Sequence, residues 1–191
     1  MGRVKSLGWL GVGFLAVLTI LFAIFLAYPY FSSNYSEATI EDLYVGVLTS
    51  KDEAKVLEVP FVKQKPYYCS EASASMVLQY YGFQISQDEV HDEGYEYFEK
   101  MLPLLQRYLD AEYHENFSLE EVKAQIDSGN PVILRILAGS YKHSVVVVGY
   151  DEKYIYIHDP AVGPYLKAKP EILVKLWDKT GRLAITLKPK S

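Results

Sequence analysis

The sequence predicts one α+β domain that is preceded by a single transmembrane helix. Residues 7–28 form an apolar run without a charge. Helical periodicity dominates the next part of the chain, and strand-like runs dominate the last third. Helices gathered before mainly antiparallel strands indicate an α+β domain. After the apolar run, roughly 160 residues remain, which is enough for one compact domain.

The apolar run is long enough to cross a membrane. A spanning helix needs about 20 apolar residues, and Trp9 and Tyr28 lie where aromatic side chains meet the two interfaces. A cleaved signal peptide is the alternative, but its apolar core is only about 7–15 residues long and its cleavage site needs small residues. Phe25-Leu-Ala27 places a bulky residue at that site. We therefore expect a retained signal-anchor helix in contact with the lipid bilayer.

Flanking charge predicts how this helix is oriented. Arg3 and Lys5 precede it, whereas the first charges after it are acidic. The positive-inside rule then leaves residues 1–6 in the cytoplasm. The expected organisation is a single-pass protein of the cell membrane, with a stalk or linker over 29–55 and an extracytoplasmic domain over 56–191.

Composition excludes several classes of function. The chain has 24 acidic and 19 basic residues, and no basic stripe appears, so we expect no nucleic-acid partner. No group of His, Cys and Asp has metal-ligand spacing, so we predict neither a metal nor another cofactor. The single cysteine cannot form an internal disulfide, which leaves a free thiol or an intermolecular bridge.

The first half of the domain reads mostly as helix. Residues 56–62 form a strand-like run that Pro60 interrupts, which is typical of an edge strand. Residues 69–82 form a helix with small residues in its first two turns and Gly82 as its stop. Residues 93–110 are predicted helical, with a break at Pro103.

The second half begins with a capped helix and continues mainly as strands. Ser118 and Glu121 form a capping box, and Gly129 ends that helix. Proline at a first turn predicts a short helix over 170–177. The predicted strands are 132–137, 143–150, 154–158 and 182–187. The second and third of them form a hairpin that is joined by 151–153.

Cys69 is the candidate nucleophile. At the start of a helix it faces unpaired backbone N–H groups and the positive end of the helix dipole, and both favour the thiolate. The alternative is a small buried hydrophobic residue, which is the common fate of a lone cysteine.

Three further residues complete a candidate site. A nucleophilic thiol needs a base, a group that orients the base, and donors for the oxyanion. His143 opens one strand and Asp159 ends its antiparallel neighbour, so the hairpin register sets them side by side. Gln64 lies five residues before the thiol. Strand alternation puts His158 on the opposite face from Asp159, where we expect a surface residue.

The order Gln64, Cys69, His143, Asp159 resembles the peptidase C39-like group of the papain-like cysteine peptidases. The surrounding motifs extend this resemblance over roughly 56–187: Val59-Pro-Phe-Val-Lys-Gln64, Met76-Val-Leu-Gln-Tyr-Tyr-Gly82, Gly129-Asn-Pro-Val-Ile133, His143-Ser-Val-Val-Val-Val-Gly-Tyr-Asp151 and Ile157-His-Asp-Pro160.

The resemblance implies a papain-like fold, in which a helical part carries the cysteine and an antiparallel sheet carries the histidine and the aspartate. It also implies that Cys69 is the nucleophile, His143 the base and then the acid, Asp159 the residue that orients it, and Gln64 the oxyanion donor.

Together these inferences describe a membrane-anchored, outward-facing cysteine peptidase that acts on peptides or proteins. Transpeptidation or amidase chemistry would use the same residues. The alternative from another class is a catalytically silent domain that binds peptides or a partner. A structural protein that dimerises through Cys69 is disfavoured, because the start of a helix with a small-residue face is expected to be partly enclosed.

Overall fold

The computed structural model describes residues 17, 19–23, 38–49, 54–93 and 98–190. The chain forms two units, 1–37 and 38–191. In the first unit the described residues are helical and exposed, and most of the membrane segment predicted over 7–28 lies outside them. Within the described ranges, no helix has both the length and the apolar character that a membrane crossing requires.

An antiparallel sheet is the centre of the second unit. The strand order is β1-β7-β6-β5-β4-β8-β3, and the short strand β2 pairs with β5. The strands are β1 Tyr44–Val47, β2 Lys55–Val56, β3 Asp110–His114, β4 Val132–Ala138, β5 Tyr141–Tyr150, β6 Ile155–Asp159, β7 Gly163–Ala168 and β8 Leu183–Lys188.

Helices cover both faces of this sheet. They are α1 Ile40–Leu43, α2 Cys69–Tyr80, α3 Gln87–Asp92, α4 Leu102–Tyr108, α5 Leu119–Asp127 and α6 Pro170–Asp178, with a 3₁₀ turn over Phe98–Met101. Helices α2 and α4 pack with Val146 and Val148 of β5 on one face. On the other face, α5 and α6 pack with Val145 and Val147. Alternate residues of one buried strand therefore serve two hydrophobic cores.

Local chemistry explains where several elements begin and pair. Ser118 accepts a hydrogen bond from the N–H of Glu121, which confirms the predicted capping box. Strand β2 pairs with β5 at Gly149, where a β-carbon would collide with the backbone of Lys55 and Val56. Glycine at this position therefore permits the close approach of the two strands.

Several predicted elements differ from the structure. The predicted stalk over 29–55 includes residues 38–49, which instead join the domain as α1 and β1, with β1 pairing to β7. Of the predicted strand over 56–62, only Val56 enters the sheet, as part of the two-residue strand β2. The helix predicted over 93–110 is shorter, because Pro103 sits in the first turn of α4 rather than breaking a longer helix.

Candidate active site

Cys69 is the first residue of α2 and is half-buried. Its side chain therefore lies at the end of the helix where backbone N–H groups lack helical partners. The turn before it is tight, because the N–H of Tyr68 donates to the carbonyl of Lys65 over 3.0 Å. Tyr67 within this turn has a φ of 67°, a left-handed conformation that is uncommon for a residue with a side chain.

His143 lies near the start of β5 and joins Cys69 to Asp159. Its Nε2 is 2.8 Å from Oδ1 of Asp159, and its ring lines the same cleft as the thiol of Cys69. Because Nε2 faces the carboxylate, Nδ1 is the ring nitrogen left for the sulfur. The geometry brings together a thiol, an imidazole and a carboxylate in the order that nucleophilic catalysis requires.

Asp159 is completely buried at the end of β6, and hydrogen bonds satisfy both of its carboxylate oxygens. Besides the bond with His143, Oδ1 accepts from the N–H of Ala161 over 2.8 Å and from that of Val162 over 3.3 Å. The hydroxyl of Tyr44 donates to Oδ2 over 2.8 Å. Asp159 is thus held rigidly toward the imidazole.

The electrostatics of this group favour an ion pair. Burial raises the pKa of Cys69, but hydrogen bonds from His143 and the N–H of Ser144, with the charges of His143 and Arg135, lower it to about 7. Burial lowers the pKa of His143, but hydrogen bonds and charges of Asp159 and Cys69 raise it to about 9. Between these two pKa values the thiolate and the imidazolium coexist.

Gln64 lines the same cleft as Cys69 and His143. Its backbone N–H donates to the carbonyl of Pro160 over 2.9 Å, which ties it to the turn after Asp159. Its Oε1 is buried and has no hydrogen-bond partner among the described residues. Gln64 therefore has an amide oxygen that no described residue satisfies, at a position in the lining of the cleft.

Sequence reasoning missed two residues of this site. Tyr44 came from the segment that we predicted to be a stalk, and nothing local marks it as a partner of Asp159. Arg135 projects from β4, and its Nη1 is 3.7 Å from the sulfur of Cys69. A single arginine within the apolar run of residues 132–137 was a signal that could have identified it, since a charged residue in a buried strand needs a partner.

The position predicted for His158 is wrong. His158 is completely buried, contrary to the predicted surface position. It accepts the N–H of Tyr165 at Nδ1 and donates from Nε2 to the carbonyl of Val59, so it links β6 to neighbouring backbone. Both faces of β6 are buried, so strand alternation does not bring either face to the surface. The buried imidazole is tolerated because backbone groups satisfy both of its nitrogens. His91 contacts Glu71, and His114 contacts Thr186.

The cleft beside Cys69 has a volume of about 570 Å³. Exposed aromatic rings of Tyr67 and Tyr141 form part of its wall, together with Lys142 and Phe98. In the part of the chain that the structure describes, no group of His, Cys, Asp and Glu is arranged to hold a metal ion.

Comparison with known proteins adds an independent finding. The model of the peptidase C39-like family matches residues 56–185. No curated protein matches the chain.

Solved structures share the fold. A Bacillus anthracis protein described as a C39-like peptidase is 22% identical with a TM-score of 0.61, over 73% of this chain and 100% of its own. A double-glycine motif protease from an AMS/PCAT transporter, solved with its leader peptide, is 24% identical with a TM-score of 0.58, over 76% and 99%. The peptidase domain of Streptococcus ComA is 19% identical with a TM-score of 0.58, over 69% and 98%.

Proposed function

The chain belongs to the peptidase C39-like family, and we propose that it is a cysteine peptidase that hydrolyses peptide bonds through Cys69, His143 and Asp159. One observation carries the proposal. His143 lies 2.8 Å from Asp159 and lines one cleft with Cys69, where the pKa of the thiol, about 7, lies below that of the imidazole, about 9. A thiolate beside an imidazolium is the reactive form of a cysteine nucleophile.

In the first half of the reaction, the sulfur of Cys69 attacks the carbonyl carbon of the scissile peptide bond. The carbonyl oxygen becomes an oxyanion, for which the Gln64 amide and the backbone N–H of Cys69 are the donors in this proposal. The imidazolium of His143 then gives its proton to the leaving nitrogen. The C–N bond breaks, an amine departs, and a thioester remains on Cys69.

In the second half, His143 takes a proton from water as the oxygen attacks the thioester. The C–S bond breaks, and the products are a carboxylic acid and the restored thiolate–imidazolium pair. Asp159 keeps its negative charge throughout and holds the ring with Nδ1 toward the sulfur. An amine in place of water would give transpeptidation with the same residues.

Alkylation of Cys69 tests the reactive pair. The rate of iodoacetamide modification of the full chain is followed against pH by intact mass, in wild type and in His143→Ala. We expect a wild-type pKa near 7 that rises toward the ordinary cysteine value of about 8.5 in the variant. His114→Ala is the matched control, because His114 hydrogen-bonds Thr186 instead of the thiol, and its profile should match wild type.

Peptide hydrolysis is the second measurement. A mixed peptide library is incubated with wild type and with Cys69→Ala, and new termini are identified by mass spectrometry. Cleavage that disappears in the variant supports the peptidase. A reactive pair without any cleavage would favour the peptide-binding alternative, and an ordinary cysteine pKa that ignores His143 would rule out the enzyme.

We further propose that residues 7–28 anchor the protein in the cell membrane with the domain outside. The support is the uncharged run of 22 residues with basic residues before it and acidic residues after it. The full chain should stay with membranes after an alkaline wash, and protease added to intact cells should remove the domain. The double variant Leu18→Arg, Leu21→Arg should no longer stay with the membranes, since each arginine costs about 3 kcal/mol at a helix centre.

A further inference from the structure

Arg135 places a guanidinium beside the proposed nucleophile. Its Nη1 donates to the hydroxyls of Ser70 and Ser144, each over 2.8 Å, and lies 3.7 Å from the sulfur of Cys69. Its Nε is buried without a hydrogen-bond partner in the described part of the chain. The two hydroxyls orient the guanidinium, but neither carries a charge that would balance it.

Other arginines in the described domain have carboxylate partners. Arg107 pairs with Glu93 over 2.6 Å, and Arg182 pairs with Asp178. No described carboxylate forms an ion pair with Arg135. A partly buried cation is costly unless an anion lies nearby, and in the proposed ion pair the Cys69 thiolate is that anion. Acylation of Cys69 would remove that charge while Arg135 keeps its own.

The other residues that line the cleft do not balance the positive charge of Arg135. Arg135 and Lys142 both line the cleft, whose acidic residue, Glu71, is engaged 3.2 Å from His91. The ring of Phe98 lies 5.7 Å from the guanidinium carbon, a cation–π distance that limits its motion. The cleft thus offers a fixed cation in a protein whose net charge is −5.

We propose that Arg135 binds a carboxylate of the substrate next to the scissile bond, so that the enzyme selects acidic peptides. The carboxylate comes either from an acidic side chain or from the C-terminus of a short peptide. This inference rests on the proposed function, because it assigns a substrate class to the same cleft. A guanidinium binds a carboxylate strongly and with defined geometry, which suits it to this task.

Two alkylating reagents test the proposal without a known substrate. Iodoacetate carries a carboxylate where iodoacetamide carries a neutral amide, and both react with the same thiolate. The ratio of their rates at Cys69 therefore cancels any change in the pKa of the thiol. The ratio is measured on the full chain in a neutral detergent for wild type, Arg135→Met and the matched control Lys142→Met.

We expect Arg135→Met to lower the iodoacetate-to-iodoacetamide ratio about tenfold, as the loss of a charge-assisted hydrogen bond predicts. Lys142→Met should change it less than about twofold, because an exposed charge is screened by solvent and salt. An unchanged ratio in Arg135→Met overturns the proposal. The pH profile of iodoacetamide alone tests the proposed function separately, since the ratio keeps its meaning even with an ordinary cysteine pKa.

If neither reagent modifies Cys69, NMR of the Arg135 Nε–H gives the answer. Acetate should shift this resonance and acetamide should not, and equal responses overturn the proposal. Protection of Cys69 from iodoacetamide distinguishes the two sources of the carboxylate. N-acetylglutamate amide represents the side chain and N-acetyl-Ala-Ala the C-terminus, each compared with its neutral amide. If neither acid protects Cys69 better than its neutral amide does, the proposal is also overturned.

Discussion

Tyr44 gives Asp159 a hydrogen bond from outside the segment that the family model matches, and Tyr44→Phe removes that bond alone. The hydroxyl lies 2.8 Å from Oδ2 of Asp159, and the two residues are 115 positions apart. Phenylalanine keeps the ring and its packing. The variant therefore isolates what the N-terminal strand β1 contributes to the site.

The expected loss of stability follows from the partners of Asp159. Its Oδ1 keeps the hydrogen bonds from His143, Ala161 and Val162, whereas Oδ2 loses the donor that Tyr44 supplies. Hydrogen bonds to charged groups contribute about 1.5–3 kcal/mol, and the aspartate is fully buried. We expect the free energy of unfolding to fall by about 2 kcal/mol at pH 7.

The same variant should show a pH dependence of defined sign. Burial raises the pKa of Asp159, but the hydrogen bonds from His143 and Tyr44 and the charge of His143 lower it below its ordinary value. A lowered folded pKa stabilises the protein above the unfolded value of about 3.9, and this stabilisation is lost as pH falls through the folded pKa. The difference between wild type and Tyr44→Phe should therefore be full at neutral pH and smaller in acid.

Urea denaturation of the full chain at pH 7 and at acidic pH measures both effects. Tyr80→Phe is the matched control, because the Tyr80 hydroxyl donates over 3.0 Å to the neutral carbonyl of Gly129. It should lose about 1 kcal/mol without this pH dependence. If the free energy of unfolding of Tyr44→Phe lies within about 0.5 kcal/mol of wild type, the assigned role of Tyr44 is wrong. It is also wrong if the loss of stability is equal at both pH values.

Further predictions concern the cleft and the buried histidine of β6. Gln64→Ala should lower kcat/KM for peptide hydrolysis by about 10²-fold yet leave the alkylation profile of Cys69 unchanged, because an oxyanion donor acts only in the transition state. Hydrolysis should increase as pH rises through about 7, where Cys69 loses its proton, and decrease through about 9, where His143 does; a profile governed by one pKa would contradict the ion pair. His158→Leu should lose about 2–4 kcal/mol in urea denaturation, because two buried hydrogen bonds disappear, and a neutral effect would restore the surface interpretation.

Elements with strong local signals could be predicted from the sequence. The apolar strands β4 and β5, the hairpin to β6 and the capped helix α5 lie where periodicity and turn residues predict them. Strands β3 and β7 were missed as strands. Strand β3 pairs with β8, which is far away in the sequence, and β7 lies between its neighbour β6 and the distant strand β1. Their formation depends on the partner strand and not on local preference.

The sequence by itself determined the residue types of the candidate site and the hairpin that sets His143 beside Asp159. That pairing is local, since the two residues flank one short connection, and strand register follows from it. The arrangement around them was decided only by the tertiary structure. Tyr44 reaches Asp159 across 115 positions, and Arg135 reaches Cys69 across 66. No periodicity encodes such contacts. The pairing of β1 with β7 creates the first, and the packing of helix α2 against the sheet creates the second.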